Sequence, residues 1–474
     1  MTDDIRELTS EAKIRYYNYG VYVNEERAIP SEIDGLKPVA RRALWSLYKK
    51  GGHSNAKLQK TAVYVGDCMG SYHPHGDKSI ADTFTSLVRT PHQLVYGEGN
   101  WGSLSDKSVA AMRYTLLKLT KFSESMFFDK FYLPVMQEVP NYDGSKQEPL
   151  TFVSLLPNVL LNGTLGIGVG VRAQLPSFTL KSVIQAVILS LKDKKVSFNT
   201  CKGLDFRYLY GGIAVKDKQE FASLIKSGKG KFNVVSTYVK AKEKDTWHIE
   251  SFAPFSALEK AIEKVILMKE ISNVNDISDI KDAYGRIEIK FKKGIAETYQ
   301  KTLMDKIVSG PFGSTENYDI KVTTRFIDDK GLANSKLQSS NIINILSNWI
   351  AYRIQLEKTA CSYWIKKRNA EIDHLNLMRL AVKNRAFIIK ALDKPFDDEQ
   401  LAAYLAKHLK ITVEQANIIL DLKIRALKSL EDKKLVKKIK ELKDEIKSYK
   451  QRIAKPRVFI ANQLKDFYKE FKDL

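Results

Sequence analysis

Tyr114 is the residue whose type and neighbourhood could do chemistry, because an arginine, Arg113, directly precedes it. An arginine–tyrosine pair has two interpretations. In the first, the tyrosine is a half-buried aromatic side chain and the arginine extends beside it to solvent. In the second, the phenol is a nucleophile for phosphoryl transfer and the guanidinium holds the phosphate that it attacks. The remaining motifs bear on this choice.

A basic segment near the N-terminus offers a second group of candidates. Within sixteen residues it carries three guanidinium groups and one ammonium group, those of Arg27, Lys37, Arg41 and Arg42. Pro30, Gly35 and Pro38 impose a stiff turn, and Pro38 suits the first turn of a helix that projects the paired arginines. The segment is either a phosphate clamp or a solvated basic face.

Two histidines, His73 and His75, lie in a break between two predicted helices, residues 61–69 and 79–88. Asp77, at the end of the break, is placed to cap the second helix. In a basic protein, two helices joined by a glycine-containing turn are typical of a DNA-binding helix-turn-helix motif. A metal site is the alternative, but no third ligand cluster stands nearby. We therefore expect the imidazoles to hydrogen-bond to phosphate or to the backbone of the turn.

Nucleotide and metal motifs are missing from the sequence. The glycine-rich run 97–103 lacks the strand and helix context of a dinucleotide fingerprint, and no G-x-x-x-x-G-K-[ST] run occurs. No two aspartates are separated by one residue, so a D-x-D magnesium motif is absent as well. If the chemistry requires a metal or a nucleotide, we expect another chain to supply it.

The composition favours a polyanionic partner. The 474 residues include 77 Lys+Arg against 55 Asp+Glu, a formal net charge of +22, which favours binding to nucleic acid in a salt-dependent manner. The three cysteines form no C-x-x-C pair and indicate reduced thiols. Without a secretory signal or a bilayer-length apolar run, we expect a soluble, cytoplasmic, nucleoid-associated protein of two to four domains.

The pattern of predicted secondary structure changes after about residue 130. Strand-like and helical runs alternate between residues 130 and 330, which predicts an α/β region. The tracts 332–394 and 396–455 contain neither glycine nor proline, so we expect them to be mostly helical. Apolar residues then recur in alternating steps of four and three, at Leu435, Ile439, Leu442, Ile446, Tyr449 and Ile453. This spacing predicts a coiled-coil seam, with the upstream helix as its antiparallel partner. An ordinary helical bundle is the alternative.

Six motifs, taken together and in order, carry a resemblance to a known family. They are Arg27-Ala28-Ile29-Pro30 with Asp34-Gly35-Leu36-Lys37-Pro38-Val39, Tyr72-His73-Pro74-His75-Gly76-Asp77, Gly99-Asn100-Trp101-Gly102-Ser103, Ala111-Met112-Arg113-Tyr114-Thr115, Asn141-Tyr142-Asp143-Gly144, and Gly166-Ile167-Gly168-Val169-Gly170. The chain resembles the breakage-reunion subunit of type IIA DNA topoisomerases, the A subunit of bacterial gyrase and topoisomerase IV. The resemblance covers essentially the whole chain.

This resemblance implies roles for individual residues. Tyr114 matches the family's nucleophile, and Arg113 matches the neighbour that stabilises the transition state. Five residues match positions that contact the cleaved DNA: Arg27, Lys37, Arg42, His73 and His75. Ile167 matches the isoleucine that wedges between base pairs and bends the duplex. Because Arg41 is paired with Arg42 in the basic segment, we expect it to bind DNA as well.

The resemblance also implies an architecture and partners. We expect an N-terminal arm (1–26), a winged-helix cleavage domain (27–145), an α/β tower domain (146–335) and a long antiparallel coiled coil (336–474) with a helical C-gate head near 396–432. The implied assembly is a homodimer on double-stranded DNA, formed through the C-gate and the winged-helix domains. A B-type subunit joins it in an A2B2 complex and binds both ATP and Mg²⁺.

The sequence departs from the family pattern at several positions. Ala40 replaces a histidine, Glu98 a glutamine, and Lys78 a small residue on which quinolone-type inhibitors depend. The chain ends soon after the predicted coiled coil, as phage subunits do, without a counterpart of the C-terminal β-pinwheel. We therefore expect relaxation or decatenation rather than negative supercoiling. The rival hypothesis is a DNA-bridging protein that keeps the scaffold without the chemistry.

Overall fold

The computed structural model describes residues 8–104, 108–254, 258–278, 285–329, 332–421 and 432–473. The chain divides into two compact units. Unit 1 comprises Met1–Arg353 with Ile460–Leu474, and unit 2 comprises Ile354–Phe459. The C-terminal residues thus group with unit 1, and the finer four-domain division stays a prediction.

The helices and strands of the described residues combine into a mixed α/β architecture. The helices, in chain order, are α1 (Leu8–Val23), α2 (Pro38–Lys49), α3 (Thr61–Ser71), α4 (Asp77–Val88), α5 (Lys121–Phe127), α6 (Asn158–Leu161), α7 (Leu180–Asp193), α8 (Phe198–Cys201), α9 (Lys218–Ser227), α10 (Leu258–Ile266), α11 (Glu297–Ser309), α12 (Ile342–Lys383), α13 (Arg385–Leu392), α14 (Asp398–Leu409), α15 (Val413–Leu420), α16 (Asp432–Ala454) and α17 (Pro456–Phe471). A π-helix (Asn24–Ala28) and a 3-10 helix (Leu133–Val135) accompany them.

The strands are short and form several small sheets. In chain order they are β1 (Gln59–Lys60), β2 (Val95–Glu98), β3 (Leu116–Leu119), β4 (Glu138–Pro140), β5 (Gln147–Pro149), β6 (Thr164–Ile167), β7 (Arg172–Leu175), β8 (Ile213–Ala214), β9 (Lys229–Val235), β10 (Thr237–Lys240), β11 (Thr246–Ser251), β12 (Ile271–Asp276), β13 (Ile287–Phe291), β14 (Ser314–Asp319), β15 (Lys321–Ile327) and β16 (Ala333–Ser339). The sheet orders are β1-β3-β2, β10-β11-β13-β12, β6-β7-β14-β9-β8, β15-β16 and β4-β5.

Helices α2, α3 and α4 pack on one another beside the three-stranded sheet β1-β3-β2. Their shared core includes Leu44, Tyr64 and Phe84, each fully buried. The predicted helices are confirmed, and Pro38 lies in the first turn of α2, where its missing N–H costs no hydrogen bond. The prediction that Asp77 caps α4 is wrong. Gly76 is the cap residue, and Asp77 is the first helical residue, where its charge still favours the helix N-terminus.

The middle of unit 1 contains the five-stranded and four-stranded sheets. Helices lie between their strands in the sequence, so the predicted α/β region is confirmed. Helices α10 and α11 contribute Val265, Met304 and Ile307 to a core shared with β11 and β13. The prediction that the tract from residue 332 is helical is wrong at its start. Residues 333–339 form β16, which pairs with β15 in an antiparallel hairpin, and α12 begins only at Ile342.

Unit 2 is an antiparallel helix pair with a small helical cluster. Ion pairs join α12 to α16 in reversed order: Glu357 to Arg452 (2.6 Å), Arg368 to Glu445 (2.7 Å) and Arg379 to Asp432 (2.5 Å). Since the residue number rises along α12 as it falls along α16, the predicted antiparallel return is confirmed. The predicted seam is confirmed by the burial of four of its members: Leu435, Ile439, Leu442 and Ile446.

The cluster between these two helices is built from α13, α14 and α15 around Leu405, Ala416 and Ile419. A capping box begins α15: the Thr412 hydroxyl accepts from the Gln415 N–H, and the Gln415 side chain accepts from the Thr412 N–H. Residues 422–431 of the expected C-gate head lie outside the described residues. Over the described ranges, no helix combines the length and apolar character needed to cross a membrane.

Candidate functional site

Tyr114 lies on the surface, two residues before the start of strand β3. Its side chain is 65% exposed, so the half-buried core interpretation does not describe it. The Arg113 guanidinium lies over its ring, with Cζ 4.6 Å from the ring centroid. A cation at this distance interacts favourably with the aromatic face of the phenol. A phosphate that approached the hydroxyl would therefore meet a positive charge.

The backbone around Tyr114 is held on the N-terminus of α3. The Thr115 carbonyl accepts from the Thr61 N–H (3.0 Å), and the two threonine hydroxyls are 2.8 Å apart. The Met112 carbonyl accepts from the Ala62 N–H (3.2 Å), and both threonines are buried. These hydrogen bonds hold the backbone at Met112 and Thr115, on the two sides of Tyr114 in the sequence. The Tyr114 phenol therefore projects from a loop whose backbone is fixed.

The glycine-rich run packs against this loop. Gly99 has φ +103°, a value that glycine tolerates and other residues rarely adopt, and a Cβ there would lie 3.5 Å from Thr115 Cα. Gly97 lies against the buried Trp101 indole, and a Cβ at Gly97 would overlap that ring. Gly99 thus allows its backbone to lie beside Tyr114 and Thr115, and Gly97 allows the Trp101 ring to pack against the run.

Arg42, His73 and His75 form a second group. The Arg42 guanidinium makes a bidentate pair with Glu148, with Nε–Oε2 and Nη2–Oε1 both 2.8 Å. Arg42 Nη1 lies 3.2 Å from His73 Nδ1. The His73 and His75 rings stack with centroids 4.2 Å apart. Glu148 thus orients the guanidinium that in turn orients the first imidazole.

His73 is held in its neutral form. Its pKa is lowered to about 4, chiefly by burial and then by the charges of Arg42, His75 and Arg27, which act in the same direction. An arginine can only donate, so Nδ1 of His73 accepts and the ring proton resides on Nε2. At neutral pH, His73 therefore offers an uncharged N–H donor.

The hairpin β6–β7 carries Ile167, and the π-helix that carries Arg27 holds this hairpin in place. The buried Asn24 side chain donates to the Val169 carbonyl (3.0 Å) and accepts from the Val169 N–H (2.9 Å). Lys37 Nζ donates to the Leu165 carbonyl (2.8 Å), and burial lowers the Lys37 pKa. At the end of β6, the Ile167 side chain is 71% exposed.

Arg41 does not belong with these residues. Its side chain is 3% exposed and pairs with the fully buried Asp34, with Nε–Oδ2 2.6 Å and Nη2–Oδ1 3.0 Å. Nη2 also donates to the Leu36 carbonyl (3.1 Å). The prediction that Arg41 contacts a phosphate is therefore wrong for this structure, because its donors stabilise the turn that precedes α2.

The structure thus brings Arg42, His73 and His75 into contact and ties the elements that bear Arg27, Lys37 and Ile167 to one another. Among the described residues, no hydrogen bond, ion pair or ring contact joins Tyr114 or Arg113 to Arg42 or to either histidine. The same residues contain no group of three His, Cys, Asp or Glu side chains that could hold a metal ion.

Sequence reasoning missed three supporting residues, Glu148, Asn24 and Thr61. Glu148 lies 106 positions from Arg42, and Asn24 lies 145 positions from Val169, so no local pattern links them. Thr61 could have been noticed as the residue that opens a predicted helix, but its partner Thr115 is 54 positions away. Pairing across such distances becomes visible only after folding.

Comparison with known proteins places these features in one family. A family model that describes the A subunit of DNA gyrase/topoisomerase IV matches residues 27–467. The DNA topoisomerase 4 A subunit of Escherichia coli (strain K12) is 29% identical over 453 residues, which cover 93% of this chain and 58% of that protein. The DNA gyrase A subunit of Ureaplasma parvum serovar 3 is 28% identical over 481 residues, 94% of this chain and 54% of that protein.

A third relative, the DNA gyrase A subunit of Mycoplasma genitalium, is 27% identical over 480 residues, 98% of this chain and 56% of that protein. The chain spans a little more than half the length of these curated relatives. The family match covers the glycine-rich run, the histidine turn, Tyr114 and the antiparallel helix pair. The chain therefore belongs to the family of DNA gyrase and topoisomerase IV A subunits.

Proposed function

We propose that this chain is the DNA-cleaving and rejoining subunit of an ATP-dependent type IIA topoisomerase. The observation that carries the proposal is the exposed Tyr114 phenol beside the Arg113 guanidinium, on a loop held by α3, in a chain of this family. The enzyme would make a transient double-strand break, pass a second duplex through it and reseal it.

The reaction is a transesterification at phosphorus. The Tyr114 oxygen attacks a backbone phosphate in line and forms a P–O bond as the bond from phosphorus to the 3′-oxygen breaks. The phenol loses its proton, and the departing 3′-oxygen gains one. The products are a 5′-phosphotyrosyl link and a free 3′-hydroxyl, and the reverse attack reseals the strand without added energy. Arg113 offsets the charge that develops on the phosphate oxygens.

Other exposed or polar side chains of unit 1 would bind the duplex. Arg27 and His75 are exposed, and the Nε2–H of His73 is the free donor of its ring. Together with Lys37 and Arg42 they would contact backbone phosphates, which fix the position of the DNA without reading its sequence. Ile167, 71% exposed on its hairpin, has the branched apolar side chain required to enter an unstacked base step.

The observed helices and strands would then correspond to the domains expected for this family. Helices α2–α4 with β1–β3 would form the winged-helix domain, and the five-stranded and four-stranded sheets would form the tower. The α12–α16 pair would be the coiled coil that bears the C-gate. A duplex requires two cuts, so two copies related by a two-fold axis would each supply a Tyr114.

A B-type subunit would complete the enzyme. Mg²⁺ does not fit the described residues of this chain, because they offer no group of three potential ligands. The sequence also lacks a phosphate-binding loop for ATP. Both Mg²⁺ and ATP are assigned to the partner, in an A2B2 assembly.

The test is a covalent-adduct assay. The chain is incubated with its B-type subunit, Mg²⁺ and plasmid DNA, denatured, and examined for protein linked to DNA. Wild type should give an adduct, and Tyr114→Phe should give none while it still binds DNA. Tyr142→Phe is a matched control, because Tyr142 is also exposed (52%) and should leave the adduct unchanged. DNA binding by the wild type without any adduct would support the rival, a non-catalytic bridging protein.

A further inference from the structure

Helix α16 of unit 2 carries a row of lysines on one side of its apolar seam. Lys440, Lys443, Lys447 and Lys450 each follow directly after a seam residue, in steps of three and four, and all four are exposed. Residues with this spacing lie along one face of a helix. We refer to these four residues as the lysine face.

The other side of the seam has a different charge pattern. There, residues that directly precede seam positions are paired: Glu445 with Arg368 at 2.7 Å, and Arg452 with Glu357 at 2.6 Å. Lys438 lies 3.8 Å from Glu441 on the same side. Acidic and basic groups therefore alternate along this side, as is usual for a solvated helix surface.

The lysine face lacks such compensation. None of its four ammonium groups makes an ion pair with a residue that the structure describes. Instead, Lys443, Lys447 and Lys450 line an open groove of about 590 Å³, whose α12 side presents the neutral Asn369. Like charges three and four residues apart destabilise a helix. Asp444 lies four residues after Lys440 and three before Lys447, but it makes no ion pair with either, so the four ammonium groups remain available to an external anion.

We propose that the lysine face is a binding surface for the phosphate backbone of duplex DNA, separate from the Tyr114 region. At about 1.5 Å per residue the face is about 15 Å long, so more than one of its lysines can contact the phosphates of the same duplex. Lysine acts as a point charge without directional preference, which suits contact with DNA of any sequence.

An acidic protein segment fits this surface less well. Apolar anchors supply much of the affinity of protein partners, and the two isoleucines of the groove, Ile372 and Ile446, are buried in the seam. Binding of duplex DNA at this face does not rest on the proposed function.

The direct test is photo-crosslinking from a single introduced thiol in the full chain. The native thiols of Cys68, Cys201 and Cys361 are buried, and burial raises the pKa of Cys68 to about 12 and of Cys201 to about 11, so they label poorly. Lys447→Cys, labelled with an aryl azide and irradiated with a short duplex, should crosslink to DNA. Lys438→Cys, on the paired side, should crosslink several-fold less.

The second measurement compares the salt dependence of DNA binding in two triple variants, each of which replaces three lysines with glutamine. The triple variant K443Q/K447Q/K450Q should reduce the slope of log K against log salt by about 0.9 for each lysine that neutralises a phosphate. The control K434Q/K437Q/K438Q makes the same change of charge on the same helix and should leave the slope unchanged. Because the first variant removes like-charge repulsion, its melting temperature should not fall.

The outcomes separate this inference from the proposed function. Equal crosslinking at positions 447 and 438, or equal salt slopes for the two triple variants, would overturn the inference. If poly-glutamate protects the position-447 label at concentrations where duplex DNA does not, the partner is an acidic protein and the DNA assignment is wrong. Crosslinking at position 447 in a chain that never forms the Tyr114 adduct would reject the proposed function alone.

Discussion

The adjacent residues Arg41 and Arg42 have opposite environments, and this leads to a prediction about the basic segment. The Asp34 carboxylate is fully buried and accepts four hydrogen bonds, two from Arg41 (2.6 and 3.0 Å) and one each from the backbone N–H groups of Leu36 and Phe152 (both 3.0 Å). Arg41→Met keeps much of the side-chain volume and removes both guanidinium bonds. The carboxylate would then be buried without its counter-charge.

Breaking a buried ion pair in this way costs about 3–5 kcal/mol. We therefore expect Arg41→Met to lower the melting temperature by several degrees. At temperatures where the variant is folded, its salt slope for DNA binding should match that of wild type. The comparison variant is Arg27→Met, which changes an exposed guanidinium. It should leave stability within about 0.5 kcal/mol of wild type and reduce the salt slope by about 0.9.

Both quantities can be measured on the same preparations, by circular dichroism melting and by fluorescence anisotropy of a labelled duplex over a salt series. A reduced salt slope for Arg41→Met with an unchanged melting temperature would refute the reasoning. It would mean that the guanidinium leaves Asp34 to reach the phosphate. Equal effects of the two variants on both quantities would refute it as well.

Two further predictions concern the histidine turn and the hairpin of Ile167. Because the pKa of His73 is lowered to about 4 from an ordinary value near 6.5, chiefly by burial, protonation disfavours the folded state. Its contribution to stability is complete above about pH 6.5 and is lost as the pH falls towards about 4. The melting temperature of His73→Gln should therefore fall less than that of wild type when the pH is lowered from neutral towards the folded-state pKa, and an equal fall would contradict the assigned neutral state. In the hairpin, a Cβ at Gly168 would overlap the buried amide side chain that holds the tip, so Gly168→Ala should reduce DNA bending measured by fluorescence energy transfer between the duplex ends. Gly66→Ala, where no atom lies within 4 Å of the new Cβ, is the control, and similar bending by the two variants would show that the hairpin tip does not depend on this contact.

Local patterns were sufficient for most of the helices. Proline in the first turn of α2, the Thr412–Gln415 capping box and the seam of α16 each depend on residues within a few positions of one another, and each is present. The exception was β16. The absence of glycine and proline from residues 333–339 permits a strand as well as a helix, and only the pairing with β15 selects the strand.

The candidate site could be predicted in its residue types but not in its contacts. The order of the motifs points to Tyr114, Arg113 and the histidine turn from the sequence alone. The exposure of Tyr114 could not be inferred, because it depends on how Thr61 anchors the following residue. Likewise, the neutral state of His73 depends on burial and on Arg42, which lies 31 positions away.

What the sequence determined by itself was the order of its motifs, the periodicity of its helices and the excess of positive charge. These properties are local or summed over the chain, so they need no knowledge of distant contacts. The tertiary structure decided which charges are available. Neighbouring residues on a helix point in directions about 100° apart, so Arg41 meets the buried Asp34 while Arg42 meets Glu148 and His73. The same principle separates the two sides of α16, because Glu445 and Arg452 on one side pair with Arg368 and Glu357 of α12, whereas none of the four lysines of the lysine face pairs with a described residue.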